Sequence, residues 1–262
     1  MIVTKTVTQP GGAVAGARLA GERGPALIFV HGVGSTGAIW DYQLDAFGGD
    51  YRCASMELRG NGALENPPPE LITREGFASD VLAVADANGF ETFDLIGCSL
   101  GGVVAFELWQ RAPERLRSMV IVGSFAKYPD GQIYADNIKA AVRAAGDMRT
   151  FAEARAAQLG LPPQRMRETI DQMGSKSVPS YLASTQATWT GDYRAMLPTI
   201  RIPVLVTRGE RDGIAPQPLS DEIADGIPEA KRDVVPDAGH VANADNSQRF
   251  NEMLRAFIST SE

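Results

Sequence analysis

The stretch Gly97-Cys98-Ser99-Leu100-Gly101-Gly102 constrains the fold of this chain more than any other. A mostly apolar run at residues 93–96 precedes it and is typical of a short buried strand, while residues 103–109 are helix formers. Ser99 therefore occupies Gly-x-Ser-x-Gly at a strand-to-helix turn, the context in which this motif marks an exposed nucleophile. A turn this tight needs small neighbours, and a glycine lies two residues away on either side of Ser99.

Strand-like and helix-like segments alternate on both sides of this turn. Further strands are predicted at residues 26–30, 51–56, 118–122, 204–207 and 232–235. Helices are predicted near residues 40–48, 74–88, 216–227 and 247–258. This alternation predicts an α/β fold with a doubly wound, mostly parallel sheet. Residues 2–20 add two short edge strands joined at Pro10-Gly11-Gly12.

Residues 124–192 differ from the rest of the chain. Strand-like runs give way to segments rich in alanine, arginine and glutamine with helical spacing, at residues 137–145, 150–159, 163–173 and 179–189. We therefore predict a core of residues 1–123 and 193–262, with residues 124–192 as a small helical cap inserted over the sheet. Three cap arginines, Arg143, Arg149 and Arg155, are expected on a solvated helix face rather than at a substrate carboxylate.

Ser99 needs a base to accept its proton, and the base needs a third group to orient it. His240 follows the last predicted strand and Asp212 follows the strand before it, so both should lie with Ser99 at the carboxyl edge of the sheet. The chain order serine, aspartate, histidine is that of a nucleophile-elbow triad. Glu210 and Asp237 remain alternatives for the acid.

The glycine-rich loop that begins at His31 is expected to complete the site. An oxyanion needs two backbone N–H donors, and we predict these to be Leu100, directly after the serine, and Val33 in the loop. We expect His31 to orient the loop rather than act as a base. The candidates for contact with substrate are His31, Gly32, Trp40, Phe125, Tyr128, Trp189 and Val241.

The same loop supports a competing hypothesis. Residues 32–37 also match Gly-x-Gly-x-x-Gly after a strand, and Glu57 ends the next strand about 20 residues further on. That pattern is the dinucleotide fingerprint of an NAD-dependent oxidoreductase. It leaves Ser99, Asp212 and His240 unexplained, so the hydrolytic interpretation is preferred. A non-catalytic ligand receptor is a further alternative.

Composition narrows the function classes. The net charge of −7, from 25 basic and 32 acidic residues without a basic block, argues against nucleic acid and anionic membranes as partners. Cys53 and Cys98 show neither metal-ligand spacing nor a disulfide framework, which is typical of a reduced compartment. The first residues lack a signal core and no run reaches the ~20 apolar residues of a membrane span, so we expect a cytoplasmic protein.

Together these motifs resemble the α/β-hydrolase family over nearly the whole chain. The His31 loop followed by Trp40, the Ser99 turn, Gly-Glu-Arg-Asp212 and Ala-Gly-His240 match its main motifs, and the helical insertion matches its cap domain. The loop and the residues after His240 look most like 3-oxoadipate enol-lactonase and related ester or lactone hydrolases. The resemblance implies Ser99 as nucleophile, His240 as base, Asp212 as its orienter, and no metal or cofactor.

Two departures bear on the subgroup. Residues 57–62 read Glu-Leu-Arg-Gly-Asn-Gly where many relatives have Asp-x-Arg-Gly-His-Gly, a turn that is mainly structural. Val241 follows the histidine where C–C hydrolases of the meta-cleavage type often have an aromatic residue. The resemblance thus favours cleavage of a C–O bond in a small-molecule ester or lactone, with C–C hydrolysis as the alternative. Oligomeric state stays open, a homodimer being one arrangement.

Overall fold

A computed structural model describes residues 2–9, 14–61, 64, 67–158 and 163–260. Eight strands within these ranges form one sheet in the order β1-β2-β4-β3-β5-β6-β7-β8. Their bounds are β1 Val3–Thr8, β2 Val14–Ala20, β3 Ala26–Val30, β4 Arg52–Glu57, β5 Phe93–Cys98, β6 Leu116–Val122, β7 Val204–Gly209 and β8 Lys231–Val235. The α-helices are α1 Asp41–Phe47, α2 Arg74–Ala87, α3 Leu100–Arg111, α4 Gly131–Ala145, α5 Met148–Gln158, α6 Pro163–Gly174, α7 Val178–Trp189, α8 Gln217–Gly226, α9 Ala242–Asp245 and α10 Ser247–Ile258.

The sheet is mostly parallel, as the alternation of strands and helices predicts. The six strands β4, β3, β5, β6, β7 and β8, in that order across the sheet, run parallel to their neighbours. Strand β2 pairs antiparallel with both β1 and β4. The prediction of two edge strands is therefore wrong for β2, which has a partner on each side. The predicted turn at Pro10-Gly11-Gly12 lies outside the described residues.

Helices cover both faces of the sheet because the central strands are apolar on both sides. Every residue of β3 and β5 is buried. Along β3, Ile28 packs into a layer with α2, α3 and α8, while Leu27 and Phe29 on the opposite face pack with α1 and α10. This two-sided burial identifies the doubly wound arrangement and fixes the carboxyl edge as the place where functional loops emerge.

Four helices, α4 to α7, lie between β6 and β7. They share a small apolar cluster that includes Val142, Met148, Phe151 and Met173. An isolated antiparallel bridge between Lys127 and Asp192 joins the two ends of this helical insertion. Within the described residues, no helix combines the length and apolar character needed to cross a bilayer.

Candidate active site

Ser99 occupies a strained turn between β5 and α3. Its backbone has φ 55° and ψ −111°, outside the regions that L-residues prefer, so neighbouring atoms must hold it there. A Cβ added at Gly97 would lie 2.2 Å from the Gly101 carbonyl oxygen, and one added at Gly101 would lie 2.2 Å from that of Val30. The Ser124 hydroxyl donates to the Ser99 carbonyl oxygen at 2.8 Å. The two glycines of the motif therefore permit close backbone packing, which places the serine at the tip of the turn.

His240 and Asp212 meet at the same edge of the sheet. His240 Nδ1 lies 2.9 Å from Asp212 Oδ2 and 3.0 Å from Oδ1. The backbone N–H groups of Ile214 and Ala215 each donate to Asp212 Oδ1 at 2.9 Å. Burial disfavours the charged carboxylate, but these hydrogen bonds outweigh it and hold the pKa of Asp212 below its ordinary value. An ionised Asp212 accepts a hydrogen bond from Nδ1–H, which leaves Nε2 as the basic nitrogen of His240.

The two alternative acids have other partners. Glu210 accepts a hydrogen bond from the Asp237 backbone N–H at 3.1 Å, and the exposed Asp237 pairs with Arg211 at 3.3 Å. Of the three candidates, Asp212 is the one that contacts His240.

A cavity of about 550 Å³ opens at this edge, and both Ser99 and His240 line it. A Cβ built on Gly32 would lie 3.3 Å from the Ser99 Cβ, so the loop backbone is adjacent to the nucleophile. The N–H groups of Val33 and Leu100 donate to no other described residue. Of the seven candidates for contact with substrate, Gly32, Tyr128, Trp189 and Val241 line the cavity.

His31, Trp40 and Phe125 do not line it, which corrects their assignment to substrate contact. His31 is fully buried: its Nδ1 lies 2.8 Å from the Gly32 carbonyl oxygen and its Nε2 accepts from the Leu58 N–H at 3.3 Å. Burial lowers the pKa of His31 to about 3, so the ring is neutral and ties the loop to the chain beyond β4.

Trp40 and Phe125 instead belong to the apolar layers. The Trp40 ring packs against Phe29 and Phe250, with centroids 5.3 and 6.0 Å apart. The Phe125 ring stacks on that of Trp189 with centroids 5.0 Å apart, and Phe125 is 1% exposed. Phe125 therefore packs against a cavity-lining residue without lining the cavity itself. Large aromatic side chains gain more free energy from a dry core than from a partly hydrated wall.

Gly123, directly after β6, is a site residue that the sequence-based predictions missed. Its φ is +52°, and a Cβ there would lie 2.8 Å from Asp212 Oδ2 and 3.3 Å from His240 Nδ1. The available signal is a glycine that directly follows a buried strand at the functional edge. The helical insertion also supplies wall residues that were not predicted, including Ile138, Arg165 and Gln172.

The glycine-rich loop does not have the arrangement that dinucleotide binding requires. It enters a 3₁₀ helix at Gly37–Trp40, and Glu57 Oε1 accepts a hydrogen bond from the Gly37 N–H at 3.0 Å. The acid that would bind a ribose hydroxyl is thus held by the loop itself. Among the described residues, no three histidine, cysteine or acidic side chains are grouped to hold a metal ion.

Comparison with known proteins shows which family the chain belongs to. A family model described as the alpha/beta hydrolase fold matches residues 25–247, and the chain belongs to that family. RutD of Azorhizobium caulinodans, assigned as a carbamate hydrolase, is 27% identical over 244 residues, covering 89% of this chain and 91% of its own. 3-Oxoadipate enol-lactonase 2 of Acinetobacter baylyi is 26% identical over 241 residues, covering 89% and 88%.

Solved structures show the same fold. A hydrolase from Pseudomonas aeruginosa superposes with a TM-score of 0.88 at 27% identity, covering 97% of this chain and 98% of its own. The protein is therefore an enzyme of the hydrolase class. Neither an NAD-dependent oxidoreductase nor a non-catalytic receptor accounts for these likenesses.

Proposed function

We propose that this protein is a serine hydrolase that cleaves an ester or lactone C–O bond of a small molecule through Ser99, His240 and Asp212. The observation that carries the proposal is the His240–Asp212 hydrogen bond beside a strained serine, with both Ser99 and His240 lining one cavity. Relatives that are named as a carbamate hydrolase, an enol-lactonase and a carboxylesterase support acyl transfer to water.

In the first half-reaction, His240 Nε2 accepts the hydroxyl proton of Ser99 as Oγ attacks the carbonyl carbon. The resulting oxyanion accepts hydrogen bonds from the N–H groups of Val33 and Leu100, the latter at the N-terminus of α3, where the helix dipole favours negative charge. His240 then gives its proton to the leaving alkoxide, and an acyl-Ser99 ester remains. With a lactone, that alkoxide stays attached to the acyl group.

In the second half-reaction, water replaces the alcohol. His240 accepts a proton from the water as the water oxygen attacks the acyl carbon. His240 then returns that proton to Ser99 Oγ as the bond between the acyl carbon and Oγ breaks, which releases the carboxylic acid and restores the Ser99 hydroxyl and the neutral imidazole. Asp212 stabilises the imidazolium that forms in both halves, because its buried carboxylate faces Nδ1. The same sequence of steps would cleave a carbamate.

We assign substrate selection to residues 124–192, which we propose to act as a cap over the core formed by residues 1–123 and 193–262. Residues of α4 to α7 line the cavity opposite Ser99 and His240, and about 550 Å³ suits a small molecule. A cytoplasmic location is proposed because Cys53 and Cys98 are both buried and unpaired.

Hydrolysis of a substrate panel tests the reaction. We would compare wild type with Ser99→Ala on a 4-nitrophenyl ester, an enol-lactone, an acyl-homoserine lactone, a carbamate and a meta-cleavage dienone. Turnover of an ester or lactone that is lost in Ser99→Ala supports the proposal, as does an acyl adduct on Ser99 seen by mass spectrometry. Preference for the dienone would replace it with C–C hydrolysis.

A matched control separates the nucleophile from a general loss of structure. Ser79→Ala removes a hydroxyl on α2 that donates to the Glu75 carbonyl oxygen and does not line the cavity. This variant should keep wild-type turnover. Full activity in a folded Ser99→Ala protein would overturn the mechanism.

A further inference from the structure

Three arginines and one carboxylate, that of Glu168, line the cavity, and the arginines differ in their partners. Arg165 on α6 is paired with Glu168 and lies 3.7 Å from Asp245, so two carboxylates neutralise it. Arg211 is mostly exposed and pairs with Asp237. Neither guanidinium is therefore available as an isolated positive charge inside the cavity.

Arg155 on α5 is different. It is half-buried, and no carboxylate of the described residues lies within 4.0 Å of its guanidinium. Its Nη2 donates to the Tyr134 hydroxyl at 2.9 Å, and Tyr134 itself lines the cavity. A guanidinium has five N–H donors in a planar fork that matches a carboxylate, so most of this binding capacity is unused.

Tyrosines of the cavity wall lie near the half-buried Arg155. Burial raises the pKa of Tyr181 to about 12, and the Arg155 charge is the largest of the effects that oppose this rise. Burial also raises the pKa of Tyr128, again against the influence of Arg155. The guanidinium thus acts electrostatically on two tyrosines of the cavity wall. A half-buried cation that no carboxylate of the protein pairs with gains from an anionic ligand that can accept its N–H groups.

This placement departs from the expectation that Arg143, Arg149 and Arg155 share a solvated face. Arg143 and Arg149 are exposed, and Arg149 pairs with Asp171 at 3.0 Å. Arg155, in contrast, lines the cavity.

We propose that Arg155 anchors a carboxylate of the substrate, so that the enzyme acts on esters or lactones that carry a second, ionised carboxyl group. The inference rests on the proposed function for the reaction at Ser99 and adds the chemical class of the substrate. Ligand binding would complete the ion pair that the protein leaves unmade. The net charge of −7 repels anions at a distance, so this selectivity is local to Arg155.

Two esters that differ in charge alone test the anchor. These are the mono-4-nitrophenyl ester of adipic acid and its terminal amide, 4-nitrophenyl 5-carbamoylpentanoate. Wild type should have a kcat/KM at least about 10-fold higher for the carboxylate ester, the size expected for a charge-assisted hydrogen-bonded pair. Arg155→Gln should lower kcat/KM for that ester roughly 10- to 100-fold and change the amide less than about 3-fold.

Two further variants control for charge and position. Arg155→Lys keeps the charge without the fork and should recover part of the preference. Arg143→Gln removes an exposed arginine of α4 and should leave both esters unaffected. Equal effects of Arg155→Gln on the two esters, or no preference in wild type, would overturn the anchor.

Direct binding separates this inference from the proposed reaction. Calorimetric titration of Ser99→Ala with adipate and with adipamide requires no turnover. Adipate should bind at least about 10-fold more tightly than adipamide, and the difference should vanish in Ser99→Ala/Arg155→Gln. Adipate binding without ester turnover in wild type would support the Arg155 anchor and contradict the proposed hydrolysis. Turnover of the amide ester without adipate binding would contradict the anchor alone.

Discussion

His240 Nδ1 lies 2.9 Å from Asp212 Oδ2, although 28 residues separate the two in the chain. The contact forms because β7 and β8 are parallel neighbours, so the loops after them emerge at one edge. Asp212 is held from the other side by two backbone N–H groups, which fix the direction of its carboxylate. The orientation of the imidazole is therefore set by the fold rather than by the substrate.

Replacing that carboxylate should disable the base without unfolding the protein. In Asp212→Asn the amide can donate to Nδ1, which favours the tautomer that has its proton on Nε2. We expect kcat to fall on the order of 10⁴-fold, with the unfolding midpoint much less affected. Asp237→Asn is the control, because Asp237 is exposed and pairs with Arg211 instead. Similar kcat losses in the two variants would contradict the assignment of Asp212.

Gly123→Ala should impair activity more than its backbone strain explains. Gly123 and Gly89 have similar φ values, +52° and +64°, but a Cβ at Gly89 meets nothing within 4 Å. Both alanine variants should lose about 1 kcal/mol of unfolding free energy from the left-handed conformation. Only Gly123→Ala should also lose at least about 10-fold in kcat, since its methyl group displaces Asp212 or His240. Equal kcat values would show that the glycine serves the turn alone.

Cys98 should be unreactive although it adjoins the nucleophile. Burial, followed by the nearby Asp212 and Asp245 carboxylates, raises the pKa of its thiol far above the usual range. Burial likewise raises the pKa of Cys53 to about 12. Because the thiolate is the reactive form, native protein at pH 8 should resist iodoacetamide, and Cys98→Ala should keep kcat within about 5-fold of wild type. Rapid alkylation of Cys98 that abolishes activity would contradict this prediction.

Glu57 should make stability depend on pH. Its second carboxylate oxygen and the Lys176 ammonium both lack hydrogen-bond partners among the described residues, although both atoms are buried. Burial raises the pKa of Glu57 from 4.5 to about 7 despite the opposing charge of Lys176, and it lowers the pKa of Lys176 from 10.5 to about 8. The folded protein thus binds the Glu57 proton more tightly than the unfolded chain. The contribution of Glu57 to the free energy of unfolding is fully present below about pH 4.5 and is lost as the pH rises through about 7.

Thermal unfolding of Glu57→Gln across this range tests the effect. Glutamine can still accept the Gly37 hydrogen bond but cannot titrate, so the difference in midpoint, variant minus wild type, should increase between pH 4.5 and 7. Glu114→Gln, which removes an exposed carboxylate, should show no such trend. A constant difference between Glu57→Gln and wild type would mean that the folded-state pKa is ordinary.

Sequence reasoning could predict the residues that combine a recognisable chemical role with a position after a predicted strand. Ser99, Asp212 and His240 each follow a strand with a recognisable apolar run, and parallel strands bring such ends together. Register and sheet order did not need to be known for that inference. The family and fold are confirmed, whereas the roles of the three residues remain predictions until turnover is measured.

Residues whose position depends on packing between distant elements could not be placed in this way. Trp40 follows the glycine-rich loop, yet its ring packs against Phe250 of α10, a contact that no local pattern reveals. Arg149 and Arg155 belong to the same helix and look alike in sequence. Six positions along an α-helix place their side chains roughly 120° apart around its axis, and Arg149 pairs with Asp171 while Arg155 lines the cavity. Which of the two faces meets the cavity depends on how α5 packs, and the sequence does not show this.

The helical insertion enters the sheet between two strands that remain hydrogen-bonded neighbours, with Met119 of β6 opposite Val204 of β7. A change in the length of the insertion therefore need not alter the pairing of β6 with β7. The proposed nucleophile, base and acid all lie outside the insertion. If the insertion selects the substrate, as proposed, substrate range and reaction chemistry depend largely on separate parts of the chain. Replacement of residues 124–192 as a unit could then change the substrate while the proposed catalytic residues stay the same.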